Sequence, residues 1–220
     1  MREPAYRYLD LAVLGPQERY KLLIGAIVPR PIAFVSSVNA KGQANLAPFS
    51  FFMGVGADPP ALAISPMRRG DGSPKDTLRN LEETGEFVVN FVSYALREAM
   101  NWASADWPPD VDEFAVSGLT PLPSVRVRPP RVAESPLHFE CRVLHILPIG
   151  KGPLSGTLVV GEVLAAHVHP ALYEEGRIRL EAYDPIGRLG GSAYVRVRTD
   201  VFELPRPDPE AIATYLQRNR

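Results

Sequence analysis

The sequence predicts a mainly β chain with peripheral helices, an α+β fold built on an antiparallel sheet, and three observations carry that prediction. Its 23 prolines, about twice the usual ~5% share, fall between short apolar runs, a pattern of many strands and turns rather than of a helical bundle. Residues 28–52, VPRPIAFVSSVNAKGQANLAPFSFF, read as a hairpin with arms Pro31–Val38 and Gln43–Phe52. Between them Asn39-Ala40-Lys41-Gly42 is a turn cluster whose glycine supplies positive φ. Residues 137–170 add two long strands, LHFECRVLHILPI and TLVVGEVLAAHVH, joined by the loop GKGPLSG.

With 220 residues, 45% of them hydrophobic, the chain can bury a full core, and it is read as a single domain over 1–220. A formal charge of −1, with both signs interspersed, is not the footprint of a protein that coats nucleic acid or an anionic membrane. Partners are therefore expected among small molecules and proteins. Cys141 is the only cysteine, which excludes an intrachain disulfide and a multi-cysteine metal site and suits a reducing cytoplasm. No run approaches the roughly 18 apolar residues of a membrane span, and MREPAYRYLDL lacks the apolar core of a secretory signal. A soluble cytoplasmic protein is the expectation.

The elements follow in order. In GPQERYKLLIGAI, Pro16 suits a first helical turn, and Tyr20, Leu23, Ile24 and Ile27 are spaced for one buried face. After the hairpin, Gly54–Pro60 reads as a loop and Ala61–Ser65 as a strand central in the sheet. In SPKDTLRNLEETGEFVVNF, Ser73 reads as the N-cap, Pro74 as N1, Asp76 as N3 of a capping box and Gly85 as C′, with Leu78 and Leu81 inward. Glu86–Val92 is a buried strand, and Ser93 caps a helix from Tyr94 to about Ser104 with Leu96, Ala99, Met100 and Ala103 inward. Trp102 and Trp107 at its end either pack in a core or interface or line an aromatic pocket. Residues 108–136 are Pro-rich and irregular, a surface excursion with a short helix in DVDEFAVSGL. The final stretch has a Gly-rich turn, Gly187 to Gly191, flanked by Tyr183 and Tyr194, before a closing strand and a C-terminal helix over Asp208–Asn219.

Several patterns bear on chemistry. Ser36, Ser37, Asn45 and Ser50 interrupt otherwise apolar strands, and each polar atom needs a partner if buried. A ligand rich in acceptors and ordinary strand-edge polarity both account for them. The helix start near Lys75, with Arg68 and Arg69 upstream and Thr77 in its first turn, has the makings of an anion site; a well-capped surface helix is the plainer reading. Gly150-x-Gly152 lacks the third glycine and following helix of a dinucleotide fingerprint, so a Rossmann fold is rejected. His167 and His169 share a strand face without a third metal ligand nearby, and Cys141, mid-strand, reads as a packed core thiol.

Taken together, RPIAFVSSVNAKGQANLAPFSFF, DPPALAIS, SPKDTLRNLEETGEFVVNF and RLGGSAY resemble the flavin reductase-like family with the FMN-binding split barrel fold, over about residues 20–200. That family includes flavoredoxins and reductase components of two-component monooxygenases. The resemblance implies an antiparallel split β-barrel that dimerises, with FMN, or FAD in its place, held non-covalently near the subunit interface. It places the flavin ring and ribityl chain along Arg30, Pro31, Ile32, Ser36, Ser37, Asn45, Leu46, Ala47, Pro48, Ser50, Phe51 and Phe52, and the phosphate at Lys75, Asp76 and Thr77, beside which Arg68 is the arginine of the candidate anion site read from the sequence. Asp76 would cap backbone N–H groups rather than meet the phosphate. Gly190 and Tyr194 match the family's closing motif. The implied activity is NAD(P)H-dependent flavin reduction centred on the cofactor, with no catalytic side chain and no metal, and with Arg30 or Arg188 as the cation near the ring. A redox partner protein or monooxygenase component would take the electrons. The rival is a flavoredoxin-like electron carrier without nicotinamide turnover, and a third reading is a structural dimer that binds no flavin.

Overall fold

The computed structural model describes residues 5–204 and 206; the expected helix at Asp208–Asn219 lies outside them. Helix α1 (Pro16–Ala26) leads into β1 (Ala33–Val38), β2 (Ala44–Phe49), β3 (Phe52–Ala57) and β4 (Pro60–Ile64). Then come α2 (Asp76–Thr84), β5 (Glu86–Phe91), α3 (Arg97–Ala103), α4 (Glu113–Ser117), and the short strands β6 (Pro121–Leu122) and β7 (Arg131–Val132). The long strands β8 (Leu137–Pro148) and β9 (Thr157–Val168) follow, and β10 (Tyr173–Glu174), β11 (Arg177–Ile178), α5 (Leu180–Tyr183), β12 (Ile186–Arg188) and β13 (Tyr194–Arg196) close the described chain.

One seven-stranded sheet dominates, in the order β2-β1-β5-β8-β9-β4-β3, with every pairing antiparallel. Its two edges, β2 and β3, are consecutive in the chain and separated only by Ser50 and Phe51. Three peptide steps reach at most about 11 Å, so the sheet curls until its edges adjoin at that corner. The hairpin's second arm therefore does not run on to Phe52: β2 stops at Phe49, and β3 starts on the far edge.

β1 is buried along its whole length, because both its faces are covered. With the alternation of a strand, Phe34 joins Leu46, Leu96, Met100 and Phe114 beneath α3 and α4. Ala33 and Val35 face the other way, into Phe87, Val89, Ile64, Leu78 and Leu81. Cys141 belongs to this second cluster, and burial raises its thiol pKa far above the ordinary value, as befits a packed core group.

Several expectations are corrected. Residues 54–60 are not a loop: Phe52–Ala57 pairs with β4 across a bulge between Gly54 and Gly56, since an exposed edge tolerates glycine. β4 lies between β9 and that edge rather than at the sheet centre. α2 begins at Asp76 with Lys75 in the N-cap position, not Ser73, whose N–H goes to the Asp71 carboxylate and whose carbonyl accepts from Arg69 N in a turn before the helix. Its other end is as expected, with Gly85 left-handed at φ 69° and Leu78 and Leu81 buried. The segment after Ser93 opens as a 3-10 turn, Tyr94–Leu96, and the Ser93 hydroxyl caps nothing. On α1 only Ile24 is buried, leaving Leu23 and Ile27 exposed, and Trp102 at 54% exposure and Trp107 at 36% are not core residues. Residues 108–136 are more than a surface excursion, since Phe114, Leu119 and Val132 are buried in the first cluster.

Candidate functional site

Two adjoining clefts run from the start of α2 to the β12–β13 turn. One is lined by Asn45, Ala47, Pro48, Lys75, Asp76, Thr77, Ser104, Trp107 and Glu113; the other by Tyr20, Ile32, Pro48, Ser50, Lys75, Met100, Ser104, Arg188 and Tyr194. Pro48, Lys75 and Ser104 line both, which makes them one continuous groove. β2 can present Pro48 here because it is an edge strand, where a missing N–H costs no ladder bond.

At the α2 end, no side chain caps the helix, and the positive end of its dipole is left for another partner. Asn45 Nδ2 donates to Thr77 Oγ1 at 2.9 Å. Asp76 does not cap: its carboxylate is bridged by Arg69 at 2.7 Å and Arg79 at 3.0 Å, and Arg69 also donates to Pro74 O. Lys75, by contrast, has no carboxylate partner among the described residues. Glu113 forms part of the wall; burial raises its carboxyl pKa, opposed by hydrogen bonds from its own N–H and from that of Leu46. At the other end, the Arg188 guanidinium lies 4.4 Å from the Tyr194 ring centroid and donates to Gly191 O at 2.7 Å.

Of the residues expected to contact flavin, Asn45, Ala47, Pro48, Ser50, Lys75, Asp76, Thr77, Ile32 and Tyr194 come together in this groove. Others serve the protein itself. Ser36 Oγ donates to Pro130 O and accepts from Asn90, while Ser37 Oγ accepts from Asn80 Nδ2 at 3.0 Å; both serines are fully buried. Leu46 is core. Arg30, also buried, donates to Ile24 O (2.6 Å), Ile27 O (2.7 Å), Leu189 O (2.9 Å) and Ser50 Oγ (3.3 Å), clamping the end of α1 to the glycine-rich turn. Gly190 packs on α1, since a Cβ there would stand 3.4 Å from Gly25 Cα. Arg68 donates to Gly72 O within its own turn, and Pro31 is exposed. Phe51 lies at the corner, where its carbonyl accepts from Ser65 N, and Phe52 packs edge-on to Phe91.

Ser104 and Glu113 were not anticipated as lining residues, while Trp107, read as either a packing or a pocket-lining ring, stands in the wall. Ser104 follows α3 directly and Glu113 opens the short helix α4, stretches too brief for periodicity to mark which side chains face the groove. The histidines have other work: His167 Nε2 bonds Glu140 Oε1 at 2.5 Å, and His169 Nδ1 accepts from Ala171 N. No helix among the described residues is long and apolar enough to cross a membrane.

Comparison with known proteins adds an independent line. A family model described as a flavin reductase like domain matches residues 25–183. An uncharacterised protein of Halalkalibacterium halodurans is 43% identical over 196 residues, covering 88% of this chain and 93% of that one. The crystal structure of nitrilotriacetate monooxygenase component B from Bacillus cereus superposes with a TM-score of 0.86 at 38% identity, covering 92% of this chain and 100% of that chain. The 2-nitrobenzoate 2-nitroreductase NbaA of Pseudomonas fluorescens gives a TM-score of 0.82 at 33% identity, with 91% and 96% covered.

Proposed function

The chain belongs to the flavin reductase-like family, and on that premise we propose that it is an FMN-binding NAD(P)H:flavin oxidoreductase that passes electrons from a reduced nicotinamide to an acceptor. The observation that carries this reading is the continuous groove, with Lys75, free of any carboxylate partner among the described residues, and a helix start without a side-chain cap at one end and an arginine-backed tyrosine at the other.

The donor set fits FMN. Lys75 and the first-turn N–H groups of α2 suit a dianionic phosphate. Asn45 and Thr77, already bonded to each other, suit the ribityl hydroxyls. Pro48, Met100 and Tyr194 offer apolar surface to a flat ring. Asp76 does not oppose this arrangement, because two arginines neutralise it. When bound, the flavin supplies hydride acceptance and electron transfer, while the protein supplies binding, orientation and electrostatics. Arg188, rather than the internally committed Arg30, would set positive charge beside the ring and favour the reduced, more negative state.

Two further features belong to the same reading. Sheet edges that adjoin without pairing suit a split barrel. Exposed Leu22 and Leu23 on α1 and Ile27 just after it, with Met53 and Val55 on edge strand β3, suit a homodimer. The likeness to a monooxygenase component B supports a partner oxygenase as electron acceptor.

The test is direct. Purified from the cytoplasm of an expressing cell, the protein should carry extractable FMN rather than FAD. Mixed anaerobically with NADH or NADPH, it should lose the flavin absorbance near ~450 nm. Bound flavin that neither nucleotide bleaches would make the protein an electron carrier, and a protein that binds no flavin would overturn the reading altogether.

A further inference from the structure

Beside the groove, and sharing Met100, Arg188 and Tyr194 with it, lies a cavity of about 490 Å³ that also takes in Tyr94, Arg97, Trp102 and Arg196. Its walls are aromatic and cationic. The Arg97 and Arg196 guanidinium carbons lie 4.2 and 4.4 Å from the Tyr94 ring centroid. Both arginines are tied to acids, Arg97 to Glu98 at 2.9 Å and Arg196 to Asp184 at 2.6 Å, which fixes their orientation. Arg188 makes no such pair among the described residues; its one side-chain hydrogen bond is to a backbone carbonyl. Trp102, opposite in character, is a large apolar ring left half in solvent.

We propose that this cavity binds a planar aromatic carboxylate as a second ligand beside the flavin groove, its ring against Trp102 and Tyr194 and its carboxylate toward Arg188. Arg97 and Arg196 are answered by Glu98 and Asp184, so the positive balance of the lining rests on Arg188. A guanidinium stacked on an aromatic ring still presents its edge N–H groups to an anion, and a forked donor matches a carboxylate. A neutral arene would leave that charge unanswered, and an aliphatic acid would leave the aromatic walls unused. The inference relies on the proposed function only for the flavin next door.

The test is calorimetric titration of the purified, flavin-loaded protein with benzoate, with its neutral isostere benzamide and with AMP, which stands for the adenylate end of a dinucleotide. Benzoate should bind about tenfold or more tightly than benzamide, as one charge-assisted hydrogen bond to Arg188 implies. Trp102→Glu, at an exposed position, should abolish benzoate binding with FMN content unchanged, and Trp102→Phe should retain it. Equal affinity for benzoate and benzamide, or benzoate binding that survives Trp102→Glu, would overturn the proposal. So would AMP binding more tightly than benzoate, which would give the cavity to the nucleotide. Flavin content is measured separately, so a yellow protein that ignores benzoate refutes this inference alone, and a colourless one that binds it refutes only the flavin reading.

Discussion

Four of the five N–H groups of Arg30 are committed inside the protein, three to backbone carbonyls and one to Ser50. Burial lowers its guanidinium pKa from the ordinary value, and Arg188 adds like charge, partly offset by Tyr20. Such a residue holds structure rather than ligand. Arg30→Ala should cost about 3 kcal/mol in urea unfolding, because it strands buried carbonyls, and Arg30→Lys should recover only part of that, since an ammonium cannot span the fork. In sequence, Arg30 is indistinguishable from a ligand-binding arginine. Three of its acceptors are carbonyls, at the end of α1, just beyond it, and in a turn 159 positions away, and carbonyls carry no sequence signature. The same holds for Ser36 and Ser37, whose need for partners was legible but whose partners, Pro130, Asn90 and Asn80, were not. Asn45, Lys75 and Thr77 stood out because short polar or cationic groups at a strand edge and a helix start have few internal uses.

Among the elements, the glycine-rich turn opens on a glycine with a measurable steric reason. A Cβ on Gly187 would stand 2.9 Å from Pro29 Cβ, so β12 can pass this close to the 29–30 segment only without a side chain. Gly187→Ala should therefore destabilise by about 1–3 kcal/mol and weaken flavin binding by displacing Arg188. Gly25→Ala is the control: nothing lies within 4 Å of its added Cβ, it sits near the end of α1, and it should be neutral or stabilise by about 0.5–1 kcal/mol in the same thermal melts. Strands β1, β5, β8 and β9 were legible because their composition and bounding turns agree. The strand β3 was not, since Gly54 and Gly56 mimic a loop. The start of α2 was misplaced by two residues because Ser73 and Pro74 imitate a cap that the preceding turn uses differently.

For the whole molecule, acid is the expected weakness. Burial holds the His138 pKa below its ordinary 6.5, with the bond to Val132 O opposing, so the folded state prefers the neutral ring. That contribution is complete above pH 6.5 and is lost as pH falls below it, because the unfolded chain takes up the proton first. Burial pushes the Glu140 pKa upward, yet the N–H groups of Val125 and Arg126 together with His167 outweigh it and keep the carboxyl below its ordinary 4.5. Its stabilisation is present above pH 4.5 and is lost as pH falls through the lowered value. Denaturation midpoints should thus be level near neutrality and decline on acidification, and Glu140→Gln should flatten the lower limb. The overall β architecture could be read from spacing and turn chemistry, whereas the curl of the sheet could not, because it depends on which edges β2 and β3 occupy. The central claim, that a flavin phosphate sits at Lys75 and the start of α2, is tested most directly by comparing FMN with riboflavin on the wild-type protein and on Lys75→Ala. FMN should bind the wild type much more tightly than riboflavin does, and the substitution should cut FMN affinity by about tenfold or more while leaving riboflavin unchanged. Equal affinity for the two flavins, or an FMN affinity indifferent to Lys75, would contradict it.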